Sequence, residues 1–76
     1  MSRLTPQPWK KLKRVFELAG FKEERTSGDH ICMVKAGVAR PVVIPRYNAV
    51  GLDIISANLR TAGLSRRDYL RLLQKA

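Results

Sequence analysis

The stretch TSGDHICMV, residues 26–34, carries the chain's only histidine and only cysteine, His30 and Cys32. An imidazole at the entry to an apolar run has three uses. It can be a hydrogen-bonded residue at a strand end, a lone metal ligand, or a group that moves protons, since an unperturbed histidine titrates at about 6.5, near working pH. With one histidine and one cysteine, a structural metal site of the usual kind lacks partners and no internal disulfide can form, so a reducing cytoplasm is the expected compartment. Inside ICMV the Cys32 thiol is expected to behave as a small buried hydrophobe, with nothing beside it to mark it as activated.

Charge narrows the partners. Fifteen Lys+Arg against six Asp+Glu give +9 on 76 residues, a body that attracts polyanions at long range and in a salt-dependent way. RNA, DNA, an anionic membrane surface and an acidic protein all fit that charge. The length allows one core, so a single domain over residues 1–76 is expected, with any site near its surface. No stretch approaches the roughly 20 apolar residues of a membrane span. The basic start MSRLTPQPWKKLKRVFELAGF is broken by Glu17 and lacks the continuous apolar core of a signal sequence. The expectation is a soluble cytoplasmic protein that does not engage a membrane. No phosphate-cradling glycine loop and no paired metal-ligand motif is present, so no cofactor, metal or small-molecule ligand is expected.

The elements that must hold His30 follow from periodicity. Trp9, Leu12, Val15, Phe16 and Ala19 gather on one side of a helix, with Pro8 suited to its first turn and Gly20 to its stop. Trp9 and Phe16 lie on that apolar side and read as core. Lys10, Lys11, Lys13 and Arg14 occupy the other, interrupted by Leu18. Three short strands are expected over 21–26, 30–35 and 40–44, joined by SGD and AGVA turns into a meander of sequential order. HICMVK is apolar on both faces between its ends and reads as the central strand, while Pro41 and Pro45 assign the third to an edge. Alternation sets His30, Cys32 and Val34 on one face and Ile31, Met33 and Lys35 on the other, leaving open which face the helices cover. A second helix carries Leu52, Ile55, Leu59 and Ala62 and stops at Gly63. A third starts at Ser65 as N-cap, with Asp68 three residues on and Tyr69, Leu72 and Leu73 facing inward. The order α-β-β-β-α-α describes helices packed against a small antiparallel sheet, an α+β fold.

These residues together resemble a known family. A basic amphipathic helix ending in LAGF, a Gly-x-His turn opening an apolar strand, then VVIPRYN and NLRTAGLS, are similar to the HicA toxins of bacterial toxin–antitoxin modules, over roughly residues 9–73. The resemblance implies a double-stranded-RNA-binding-like α-β-β-β-α fold with an added C-terminal helix. It also implies a metal-independent endoribonuclease, an mRNA interferase that halts translation and growth until a HicB-type antitoxin neutralises it. Carried over, the histidine required for activity is His30 and the turn glycine is Gly28. The usual serine between them is Asp29 here, which leaves the fold expectation intact and bears on the chemistry. Asp29 can raise the proton affinity of His30 or orient it, or cap the turn, and the turn role is favoured because strand neighbours point to opposite faces.

Metal-free RNA cleavage uses the substrate's own 2'-hydroxyl as nucleophile, with a base, an acid and cations at the phosphate. One histidine does not readily serve both ends. Lys35, Arg25, Arg46 and Tyr47 are the residues that can complete the site, and the sequence does not rank them. Lys10, Lys11, Lys13, Lys35, Arg40 and Arg46 are the candidates for phosphate contacts. Two rival readings keep a binding role without cleavage. The helix pair over 52–73, joined at TAGLS, imitates a helix-turn-helix that offers Arg66, Arg67 and Arg71 to DNA, with Asp68 among them as a contrary charge. Alternatively, the α-β-β-β-α shape tracks an RNA duplex without cutting it.

Overall fold

A computed structural model describes residues 4–76, so the first three residues of the expected domain lie outside it. The chain order is α1 (Trp9–Leu18), β1 (Lys22–Ser27), β2 (His30–Val34), β3 (Val42–Pro45), α2 (Leu52–Ala62) and α3 (Arg66–Lys75). The three strands form one antiparallel sheet of order β1-β2-β3, as the meander requires. This is the double-stranded-RNA-binding-like arrangement of an α+β protein with α3 added at its C-terminal end.

All three helices share one apolar cluster with one face of the sheet. Leu12, Val15 and Phe16 of α1 join Ile31 and Met33 of β2, Val42 and Ile44 of β3, Ile55 and Leu59 of α2 and Tyr69 of α3, all buried. Full burial of side chains of this size is worth about 2 kcal/mol each, which offsets the ordering entropy of so short a chain. The sheet's helix-covered face is therefore the one bearing Ile31 and Met33. β1, reading KEERTS, is exposed along its length and contributes backbone pairing more than core.

Element ends follow local chemistry. Pro8 is the N-cap of α1 rather than its first helical residue, and Trp9 N–H donates to Tyr47 O at 3.0 Å instead of to a capping side chain. Gly63 closes α2 in the left-handed region (φ 67°), where Gly63 N–H donates to Arg60 O and Leu64 N–H to Leu59 O. That pairing of the last carbonyls needs a residue without a β-carbon penalty. Ser65 caps α3 by accepting from Asp68 N–H at 3.1 Å, while the Asp68 carboxylate turns to Arg71 at 3.3 Å. Pro45 is tolerated inside β3 because no strand pairs on its outer edge.

Tyr69 is fully buried, and its hydroxyl finds no hydrogen-bond partner among the described residues. Burial pushes its pKa up by disfavouring the phenolate. The unfolded chain's tyrosine then ionises first, so the stability tied to the neutral form is complete below about pH 10 and declines as pH rises through the raised folded value. Tyr69→Phe removes the unpaired hydroxyl and is expected to raise stability by about 1 kcal/mol in urea unfolding at pH 7, and to flatten the decline in alkaline solution. A destabilisation instead would show that the hydroxyl has a partner in solution.

Candidate active site

His30 enters β2 directly from the tightest turn in the sheet. Ser27 pairs with His30, leaving Gly28 and Asp29 as a two-residue hairpin loop. Gly28 has φ 58°, the positive value that the first position of a type II′ hairpin turn demands and that glycine takes without strain. Asp29 contributes its carbonyl, which accepts from Arg46 N–H at 2.6 Å. The loop is thus fastened to the end of β3, and the histidine that follows is held between Ser27 on one side and Pro45 on the other.

Because Ile31 and Met33 are committed to the core, His30, Cys32 and Val34 face away from the helices. His30 is exposed on that bare face. Three cross-strand rows make up the surface: Lys22 with Val34, Arg25 with Cys32 and Val43, and Ser27 with His30 and Pro45. Cys32 is therefore half-buried on the open face and not the enclosed core residue its apolar neighbours suggest, since burial in ICMV alternates instead of running on. Val43, 39% exposed, lies beside it.

The row containing Arg25 depends on an irregularity in β1. Register shifts between Glu23 and Arg25, so that Glu24 is an extra residue against β2. The bulge lets Glu23, opposite Met33, and Thr26, opposite Ile31, both serve the helix side. There the Thr26 hydroxyl donates to the Glu23 carboxylate, which also pairs with Lys13 of α1 at 2.9 Å. The Thr26 bond first, and then Lys13, hold the Glu23 pKa below the usual carboxylate value. The bond to Glu23 in turn raises that of Lys13.

A basic corner adjoins the histidine's turn. Arg46, whose N–H holds Asp29, lays its guanidinium over the Trp9 ring at 4.8 Å, and Lys10 Nζ lies 5.8 Å from the same ring. Trp9 is only partly buried, so the core reading of this residue describes one part of the side chain and the cations take up another. The first turn of α1 holds no acidic residue while carrying Lys10 and Lys11, charges that its macrodipole disfavours by a few tenths of a kcal/mol each and that a nearby anion would compensate. Tyr47, 49% exposed, completes the corner where the chain leaves β3.

The other expected phosphate contacts are distributed differently. Lys10, Lys11, Lys13 and Arg46 belong to the end of the molecule where α1 begins and the histidine's turn lies, though Lys13 is already engaged by Glu23. Lys35 is five positions beyond His30, about 16 Å along the strand. Its Nζ donates to Ala19 O at 2.8 Å and lies 5.7 Å from the Phe21 ring, closing the C-terminal end of α1. Arg40 is in the β2–β3 connection at that same far end. Neither is brought to His30. Among the described residues no grouping of three or more His, Cys, Asp or Glu could hold a metal ion, and no cavity opens. The site is an exposed sheet face with one imidazole and flanking cations, suited to an extended anionic chain more than to an enclosed small molecule.

The molecule is thus a small α+β protein, helix-covered on one side of its sheet, that presents a histidine from a hairpin turn on the other. A family model described as HicA toxin of bacterial toxin–antitoxin systems matches residues 9–64, from the first residue of α1 through the close of α2. The chain belongs to the HicA toxin family, and its role is that of the toxin in a toxin–antitoxin pair. No curated protein and no solved structure matches it.

The division of the cations can be checked directly. Lys35→Met removes the bond to Ala19 O and is expected to cost about 1 kcal/mol of stability in urea unfolding. RNA affinity should change less than twofold with this variant, whereas Arg46→Met should weaken it several-fold. Equal loss of affinity in both variants would place the phosphate path across the far end of the sheet.

Proposed function

We propose that this toxin is an endoribonuclease that cleaves mRNA in the cytoplasm without a metal ion and so stops translation, with His30 as its proton-transfer group. The observation that carries the proposal is the presentation of His30. The only imidazole of a HicA-family chain stands exposed on the bare sheet face, at a turn fastened to a basic corner. His30 takes the proton from the 2'-hydroxyl, or delivers one to the departing 5'-oxygen, and water serves the other end of the reaction. The 2'-oxygen forms its bond to phosphorus as the bond to the 5'-oxygen breaks, giving a 2',3'-cyclic phosphate and a 5'-hydroxyl. Lys10, Lys11 and Arg46 supply phosphate contacts beside the turn, and Gly28 and Asp29 fix where the ring stands.

The whole domain, residues 1–76, serves as the toxin, and the partner is an acidic antitoxin of the HicB type. A body of net charge +9 favours such a partner, and one that covers the open sheet face and the basic corner competes with RNA for the same surface. The DNA-binding alternative has one specific observation in its favour. The α2–α3 connection is only residues 63–65, the length of a helix-turn-helix turn. Against it, Asp68 draws Arg71 into an ion pair at 3.3 Å, and α3 packs on α1, in the helix layer away from His30.

The test compares wild type with His30→Ala on a long mRNA in EDTA, both shown folded by circular dichroism, with the product ends mapped. Cleavage by wild type, reduced at least 100-fold in the variant and leaving cyclic phosphate ends, is expected. Ends bearing 5'-phosphate, strict dependence on added magnesium, or equal cleavage by both proteins would refute the mechanism.

A further inference from the structure

We infer that Arg25 is the second catalytic residue, binding the phosphate to be cleaved and stabilising the charge that gathers on it; this rests on the ribonuclease reading of the same site. The register of β1 carries the inference. Counting by strict alternation from Glu23, which faces the helices, Glu24 would fall on the histidine's face and Arg25 would return to the helix side. The extra residue between Glu23 and Arg25 changes that outcome and sets Arg25 opposite Cys32, in the row adjoining Ser27 and His30. Arg25 and His30 are then diagonal neighbours on adjacent strands of one exposed face. Such positions lie about 7–8 Å apart, a gap that a long side chain spans and that a phosphate group fills.

The remaining candidates stand off this face or at its far end. Lys35 closes α1 at the far end of the sheet through Ala19 O, and Lys22 pairs with Val34 at that end. The Arg46 guanidinium lies over Trp9 in α1, on the helix side. Tyr47 has left the sheet, its N–H donating to Pro45 O and its carbonyl accepting from Trp9. Arg25, by contrast, is exposed and makes no ion pair or side-chain hydrogen bond among the described residues. An arginine so placed contributes little to the fold and keeps its donors for a ligand, in the planar geometry that phosphate oxygens accept in pairs. A guanidinium is not deprotonated in proteins, so an arginine steadies the phosphate and leaves the proton steps to other groups. The proton steps stay with His30 and water.

The experiment measures single-turnover cleavage of a single-stranded RNA at saturating protein for wild type, Arg25→Ala, Arg25→Lys and His30→Ala. Binding of the same RNA with 2'-O-methyl groups, which cannot be cleaved, is measured in parallel. Arg25→Ala is expected to lower the saturating rate about 100-fold, the usual cost of losing one charge-stabilising donor, while the dissociation constant rises less than tenfold. Arg25→Lys should recover part of the rate, and unfolding midpoints should match wild type. A saturating rate unchanged in Arg25→Ala, with His30→Ala inactive, overturns the assignment and leaves the ribonuclease reading standing. Wild type that fails to cleave, or a His30→Ala variant as active as wild type, overturns both.

Discussion

Burial on only one side of β2 is the constraint from which the rest of the molecule follows. A 76-residue chain has enough apolar surface to cover one face of a three-stranded sheet, and α1, α2 and α3 all collect there over Ile31, Met33, Val42 and Ile44. Once Ile31 and Met33 are fixed beneath the helices, His30 and Cys32 have nowhere to go but the opposite face. A shift of one residue in the pairing would exchange the two sets, placing an imidazole in the core and two large apolar side chains in water. The exposure of the histidine is thus held by the same free energy that holds the fold, and no pocket is needed to maintain it.

That arrangement also separates structural cations from available ones. Among the described residues Glu17 engages Arg14, Glu23 engages Lys13 and Asp68 engages Arg71. These surface pairs add little stability, but each gives a basic residue a protein partner. Lys35 is likewise committed, to the last turn of α1. What remains near the histidine is the corner of Lys10, Trp9 and Arg46 on the helix side and Arg25 on the sheet side. A backbone bond from Arg46 to Asp29 ties the corner to the turn, so the corner and the turn that carries His30 are mechanically linked.

Much of this was legible in the sequence. The helical spacing of Trp9 to Ala19, the Gly63 stop and the Ser65 cap carry their own geometric signals, and the sequential strand order follows from two short turns. The glycine–histidine turn was equally readable, because Gly28 has a backbone requirement few other residues meet. The uncovered face was not, since HICMV is apolar in both phases and only tertiary packing chose Ile31 and Met33 for the core; the same ambiguity hides the half-burial of Cys32. Nor did KEERTS announce its bulge. The shift brings Glu23 and Thr26 together on the helix side, where Glu23 meets Lys13 of α1, contacts absent from the strand's own pattern, and it decides where Arg25 stands. Lys35 and Arg46 are both basic residues near a strand end, and only the fold showed that one closes a helix while the other joins the histidine's corner.

The claim on which all of this depends is that the bare sheet face meets RNA. Amide chemical shifts of isotope-labelled wild type, followed by NMR as a single-stranded 2'-O-methyl RNA is added, test it most directly. The largest changes are expected on Arg25, Ser27, His30, Cys32 and Val43 and on the Trp9–Arg46 corner, with Lys35 and α3 little affected. Changes confined to Arg66–Arg71, with the sheet undisturbed, would contradict it and move the nucleic-acid surface to the helix pair.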